Sequence, residues 1–245
     1  MEDMNKGKIT AVVLSGGKGL RMGGPVRKQY LSLGGKPLLV HSLEAFERSS
    51  VDEIVLVTGS EDIGYVSEEI VKPYHIHKVR QIVPGGKERY HSVYEGLKAA
   101  GNCSLVLIHD GARPLVTEAV IERAVDGARM WRACVVGMPV KDTIKVADQD
   151  GLAASTPDRR YLWQVQTPQA FSYELIKAAY DKLLGDERLQ EGITDDAMVV
   201  EHHTDVKVKL IEGSYENIKV TTPEDLRIAE ALLDSRNEGT LKKTE

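Results

Sequence analysis

Four times in succession between Ile9 and Met130, a short apolar, β-branched run gives way to a segment with helical spacing. The runs are ITAVVLS (from Ile9), EIVLVTG, VRQIVPGG and SLVLIHDGARP, and a fifth, ACVVGMPV, follows. Unbroken apolar character of this kind marks strands covered on both faces. Between them, PLLVHSLEAFERS places Leu39, Leu43 and Phe46 on one helical stripe, with Pro37 admitted in its first turn. DIGYVSEEIVKPY stops near Pro73, ERYHSVYEGLKAAG stops at Gly101, and TEAVIERAVDGARM starts behind Thr117 as N-cap. The alternation predicts an α/β fold, a mainly parallel sheet with helices on both faces. Ligands in such sheets bind at the carboxyl ends of the strands. The loops after Ser15, Val83 and Ile108 therefore share one rim.

Beyond Pro139 the pattern breaks. Residues 139–164 have no helical period, only short alternating pieces around the turn DQDG. This predicts a projecting β-arm. An arm cannot bury Leu162 and Trp163 by itself, so it is expected to pack on a second copy, giving a homodimer. A helix from Ser172, a short helix opened at Thr194, a strand VKVKLIEG and a last helix capped by Thr222 complete one domain over 1–245, with a frayed tail from Arg236.

The first strand runs into SGGKGLRMGG, where Lys18, Arg21, Arg27 and Lys28 lie close together. The phosphate-loop motif G-x-x-x-x-G-K-[ST] fails because Arg21 stands where the second glycine is needed. The dinucleotide fingerprint fails at Met22. The segment is either a phosphate cradle of glycine N–H groups and cations or a plain turn with solvated cations.

The formal net charge of −5 argues against a nucleic-acid partner but not against a small anion held by local cations. No apolar run is long enough to span a membrane, and the start, MEDMNKGK, is too polar for a secretory signal. Cys103 and Cys134 form no C-x-x-C pair, and a cytoplasmic protein is expected. The His75/His77 and His202/His203 pairs lack a spaced third ligand and read as surface histidines. His109 reads as a hydrogen-bonded core residue, and Trp131 as packing.

LSGGKGLRM followed by KQYL resembles the opening of the sugar-phosphate nucleotidyltransferases. GGKERYHSV, HDGARPL, PVKDTIK, TPDRRYLWQVQTPQAF, TDDA and NIKVTTPEDL, in this order, narrow the resemblance to the IspD family of cytidylyltransferases. The resemblance implies a Rossmann-like sheet and a homodimer whose arm reaches the neighbour's site. It also implies a reaction of the non-mevalonate isoprenoid route. With Mg²⁺, CTP and 2-C-methyl-D-erythritol 4-phosphate give CDP-methylerythritol and pyrophosphate. By the same resemblance, Arg21, Lys28 and Lys219 are catalytic cations on the triphosphate. Leu14, Ser15, Gly16, Gly17, Lys18, Gly86, Lys87 and Ser92 bind CTP. Asp110 contacts the metal or ribose and, with Arg113, Thr143, Arg159 and Thr167, the sugar phosphate. Without the resemblance, Lys219 would be an exposed strand-edge lysine, Asp110 equally well a loop cap, and Thr143 and Arg159 hairpin surface.

The chain departs from the family pattern twice. Arg27 stands directly before Lys28 where proline is usual, and Lys87 where an acid is usual. Two other functions compete. A ribitol-5-phosphate cytidylyltransferase would carry HDSVRP and NLKIT in place of HDGARP and NIKVT. A non-catalytic nucleotide-binding protein would have lost one or more of the phosphate-handling cations, all of which are present.

Overall fold

A computed structural model describes residues 7–17 and 27–241. β1 (Ile9–Leu14) is followed by a two-stranded ribbon, β2 (Ser32–Leu33) and β3 (Lys36–Pro37), and by α1 (Leu38–Arg48). Next come β4 (Glu53–Thr58), a helical turn α2 (Ile63–Tyr65) that widens into a π-helical Val66–Val71, β5 (Val79–Pro84) and α3 (Arg89–Ala100). β6 (Leu105–Asp110), α4 (Glu118–Trp131) and β7 (Ala133–Pro139) follow, then a hairpin of β8 (Val146–Ala147) and β9 (Ala153–Ser155). The chain continues through β10 (Trp163–Ser172), α5 (Tyr173–Gly185), α6 (Asp196–His203), β11 (Lys209–Glu212) and α7 (Pro223–Leu241).

Seven strands form one sheet in the order β11-β7-β10-β6-β1-β4-β5. β10 is antiparallel to both neighbours, and the other pairs are parallel. Side chains alternate across the sheet as the pleat requires. Ile9, Ala11 and Val13 of β1 face a core closed by α1 and α4, with Val66 and Ile70. Val12 faces the opposite core, closed by α3, α5 and α6. At about 25 cal/mol per Å² of apolar surface removed from water, these two layers are the main stabilising term.

Four local expectations need correction. Pro37 is not inside α1: it pairs with Ser32 in the ribbon and precedes the helix as its cap residue. The ribbon turns on Gly34 and Gly35, at φ 55° and 81°, a conformation that favours glycine at both central positions of a tight hairpin. Trp163 and Gln164 belong to the main sheet rather than to the arm, since β10 inserts between β6 and β7. The excursion left over is 141–162, whose DQDG turn closes through Asp148 N–H to Leu152 O and Gly151 N–H to Asp148 O. Trp131 is half exposed, with the Lys209 ammonium 5.2 Å from its ring centre. α7 continues past Arg236 to Leu241, and the Arg236 guanidinium reaches Glu216 at 2.7 Å and Leu115 O at 3.0 Å.

Candidate active site

The carboxyl ends of β1, β5 and β6 converge on one rim, as a doubly covered parallel sheet dictates. Backbone bonds lock the rim together: Ser15 N–H to Val57 O, Gly85 N–H to Thr58 O and Gly111 N–H to Leu14 O, at 2.7, 2.7 and 2.9 Å. A cleft of about 350 Å³ opens there. One wall is Leu14 to Gly17. The opposite wall is Gly86 to Arg89 with Ser92, and Lys28, Asp110 and Lys219 close the end. The Ser92 hydroxyl accepts from Gly86 N–H at 3.1 Å and donates to Glu88 O at 3.2 Å, so it shapes the loop ahead of α3. A second cleft, about 250 Å³, lies beyond Asp110 and is lined by Arg113, Gln166, Thr167 and Thr194. Arg89, Asp110 and Lys219 line both clefts and form the wall between them.

That wall is a chain of alternating charges. Lys219 Nζ donates to Asp110 Oδ2 at 2.6 Å, and Arg89 Nε donates to Asp110 Oδ1 at 3.2 Å. The other face of the Arg89 guanidinium forks onto Asp196, at 3.0 and 2.8 Å. Asp196 is fully buried and also accepts from the Tyr180 hydroxyl at 2.6 Å. Burial alone would raise the Asp110 carboxyl, but Arg89 and Lys219, with Arg113, outweigh it and hold the group far below the usual carboxylate range. Behind it, Asp110 N–H donates to the Thr167 hydroxyl, which lies 3.1 Å from His109 Nδ1. Burial pushes the His109 ring down to about 3, so it stays neutral. Arg113 donates to Asn217 O at 2.8 Å, and burial lowers its guanidinium despite nearby Asp110. Among the described residues no group of three or more His, Cys, Asp or Glu side chains could hold a metal ion. Both Asp110 oxygens already accept from cations.

The family model described as IspD, 2-C-methyl-D-erythritol 4-phosphate cytidylyltransferase, matches residues 9–235. A relative of that name from Lachnoclostridium phytofermentans is 48% identical over 226 residues, covering 92% of this chain and 96% of the relative. Another, from Caldanaerobacter subterraneus subsp. tengcongensis, is 47% identical over 229 residues, covering 92% and 98%. The chain belongs to the IspD family. The crystal structure of 4-diphosphocytidyl-2C-methyl-D-erythritol synthase from Anaerococcus prevotii superposes with a TM-score of 0.83 at 36% identity, covering 94% of this chain and 98% of that one.

Within this IspD-family chain, the residues expected at the site fall into three groups. Leu14, Ser15, Gly16, Gly17, Lys28, Gly86, Lys87, Ser92, Asp110 and Lys219 line the first cleft, and Arg113 and Thr167 line the second. Lys18 and Arg21 lie outside the described residues. Thr143 and Arg159 line neither cleft: both are exposed on the excursion, where Arg159 donates to Lys141 O at 2.9 Å. Sequence reasoning missed Arg89 and Asp196. A signal was available, because Arg89 opens α3, and a cation at a helix N-terminus opposes the dipole unless acids compensate it.

Proposed function

We propose that this chain transfers CMP from CTP to the phosphate of 2-C-methyl-D-erythritol 4-phosphate, releasing pyrophosphate. The observation that carries the proposal is the shared wall: two clefts meet at Lys219, Asp110 and Arg89. CTP occupies the larger cleft, with its base against Leu14 to Gly17 and the Gly86–Lys87 loop. The sugar phosphate occupies the smaller one, against Arg113 and Thr167. A phosphate oxygen of the acceptor, already anionic at neutral pH, forms the bond to the α-phosphorus. The α–β phosphoanhydride bond breaks and pyrophosphate leaves. No general base is needed. The obstacle is bringing an anion onto a polyanion, so positioning and cationic stabilisation do the catalysis.

Lys28 and Lys219, with Arg21, neutralise the triphosphate and the charge developing at the α-phosphate. At ~4 Å and an effective dielectric of ~20, each unit pair is worth about 4 kcal/mol before desolvation. Asp110 parks Lys219 at the wall until phosphate oxygens displace it. The described residues offer no protein-only cage for Mg²⁺; the triphosphate, with Asp110 beside it, would hold the ion, which would supply further neutralisation of the phosphates. Main-chain groups of the base wall reject a wrong base by leaving buried polar atoms unpaired. The excursion carries Thr143 and Arg159 to the sugar phosphate of a second copy. The protein works as a cytoplasmic homodimer, with no nucleic-acid or membrane partner; among the described residues no helix is long and apolar enough to cross a membrane.

Pyrophosphate release with Mg²⁺ and CTP, offering methylerythritol phosphate and ribitol phosphate in parallel, tests the proposal. Release with the first acceptor alone is expected. Release with ribitol phosphate alone would overturn the acceptor, and release with neither would overturn the reaction.

A further inference from the structure

Lys28 sits in the single 3-10 turn Lys28–Tyr30, which closes through Tyr30 N–H to Arg27 O at 2.9 Å. Residues three apart in such a turn eclipse one another, so Arg27 and Tyr30 share a face and Lys28 does not. The shared face is fastened to one carboxylate. Arg27 reaches Asp62 Oδ2 at 2.8 Å, and the Tyr30 hydroxyl donates to the same oxygen at 3.1 Å while lying 3.1 Å from Thr58 Oγ1. The second guanidinium nitrogen pairs with Glu61. Gly59 leaves room for this approach: a Cβ there would stand 2.7 Å from the guanidinium. Gln29, between them, is buried and donates to Ser15 O, the first residue of the glycine loop. The chain leaving the loop is thus pinned to the end of β4 on one side and to the end of β1 on the other, and Lys28 is left lining the cleft.

We infer that Arg27 is a positioning residue, an arginine–carboxylate clamp on Glu61 and Asp62 that holds Lys28 toward the triphosphate, and is not itself a phosphate-binding cation. The inference rests on the proposed assignment of Lys28 to CTP. Two acids already engage the guanidinium, and turning it to the cleft would abandon both.

Direct binding and clamping make opposite demands on the acids. If Arg27 bound phosphate, neutralising Glu61 and Asp62 would release the guanidinium and leave the KM for CTP unchanged or lower. If it clamps, losing the acids equals losing the arginine. The experiment compares Arg27→Ala, the Glu61→Gln/Asp62→Asn pair and the triple variant, with KM for both substrates, calorimetric affinity for CTP and thermal midpoint. We expect Arg27→Ala and the acid pair each to raise the KM for CTP about fivefold, the scale of a small exposed charge network. The KM for the sugar phosphate should not move, and the triple variant should be no worse than either. An acid pair with normal or lower KM beside a raised value for Arg27→Ala would overturn the clamp, as would an inert Arg27→Ala. A wild-type protein that binds CTP but releases no pyrophosphate would overturn the reaction instead, and CTP affinity would still read the clamp.

Discussion

The wall between the two clefts and the excursion 141–162 both carry dense charge, but they hold it differently. At the wall, Lys219 and Asp110 are 109 residues apart in sequence and Arg89 and Asp196 are 107 apart, so the whole fold sets their geometry. On the excursion the arginine contacts are local: Arg160 with Asp158, two residues away, and Arg159 with Lys141 O, eighteen away; at its base Lys141 reaches a distant group, the centre of the Tyr215 ring, at 3.5 Å. The wall is preorganised, as electrostatic catalysis requires. Most side chains of the excursion are exposed, and Thr143 and Arg159 line neither cleft among the described residues. On the proposed function, the first region supplies the catalytic cations and the second serves a second copy.

The sharpest way to break this comparison is to remove a wall cation. Lys219→Ala is expected to lower kcat by about 10²–10³, the usual cost of one preorganised transition-state donor, with the thermal midpoint nearly unchanged. A rate within threefold of wild type would show that the wall does not act on the reacting phosphate.

Asp196→Ala tests the buried end of the same chain. It strands the Arg89 guanidinium without its bidentate partner, at a cost of about 3 kcal/mol in unfolding free energy. Chemical denaturation reads this, and a loss below about 1 kcal/mol would mean that the wall is less rigidly built than its geometry implies. Acid is expected to act next. His109 is neutral in the fold to about pH 3 and takes a proton near 6.5 when unfolded. The unfolded chain therefore binds more protons between these values, and stability falls as pH drops through that window, by at most about 1.4 kcal/mol per unit. Asp110, held below its ordinary range, adds its own loss only below about pH 4. Denaturation midpoints from pH 7 to 5 should fall in the wild type and fall less steeply in His109→Asn, where His41 and His203, also lowered by burial, still contribute; equal slopes would remove His109 as a cause.

Much of this was legible in the sequence, for a physical reason. Doubly buried strands announce themselves as apolar runs, and their carboxyl ends then fix the rim without further information. β10 was not legible as a core strand. It carries Pro168 at a break in its register with β7, and it presents Gln166 and Gln169 to the interior. Those polar groups are matched only by distant partners: Gln166 by Ser214 and Asn217, Gln169 by Asp195 and the N–H groups opening α6. Local pattern cannot show a hydrogen bond made across the fold. Arg89 carried a local signal, a cation opening a helix, but its partner Asp196 lies 107 residues away and could not be named from it. The Gly34–Gly35 ribbon is different: its turn chemistry was in plain sight and went unread.

The smallest expected change in stability belongs to the excursion, and it carries the most information about assembly. Arg159→Ala removes an exposed side chain whose contact is local, so unfolding free energy should stay within about 0.5 kcal/mol of wild type. If the excursion serves a second copy, the KM for the sugar phosphate should still rise, about fivefold, while that for CTP stays put. Equal rises for both substrates would count against an arm on the acceptor. The decisive form is complementation. In a mixed dimer of Arg159→Ala and Lys219→Ala chains, one site combines both defects and the other combines neither. Equal co-expression at low sugar phosphate should therefore give about 30% of wild-type activity by statistical pairing, about a quarter from the intact sites of mixed dimers and the rest from Arg159→Ala homodimers working at about a fifth. If Arg159 acted within its own chain, every site would carry one defect or the other, and the mixture would reach only about 10%.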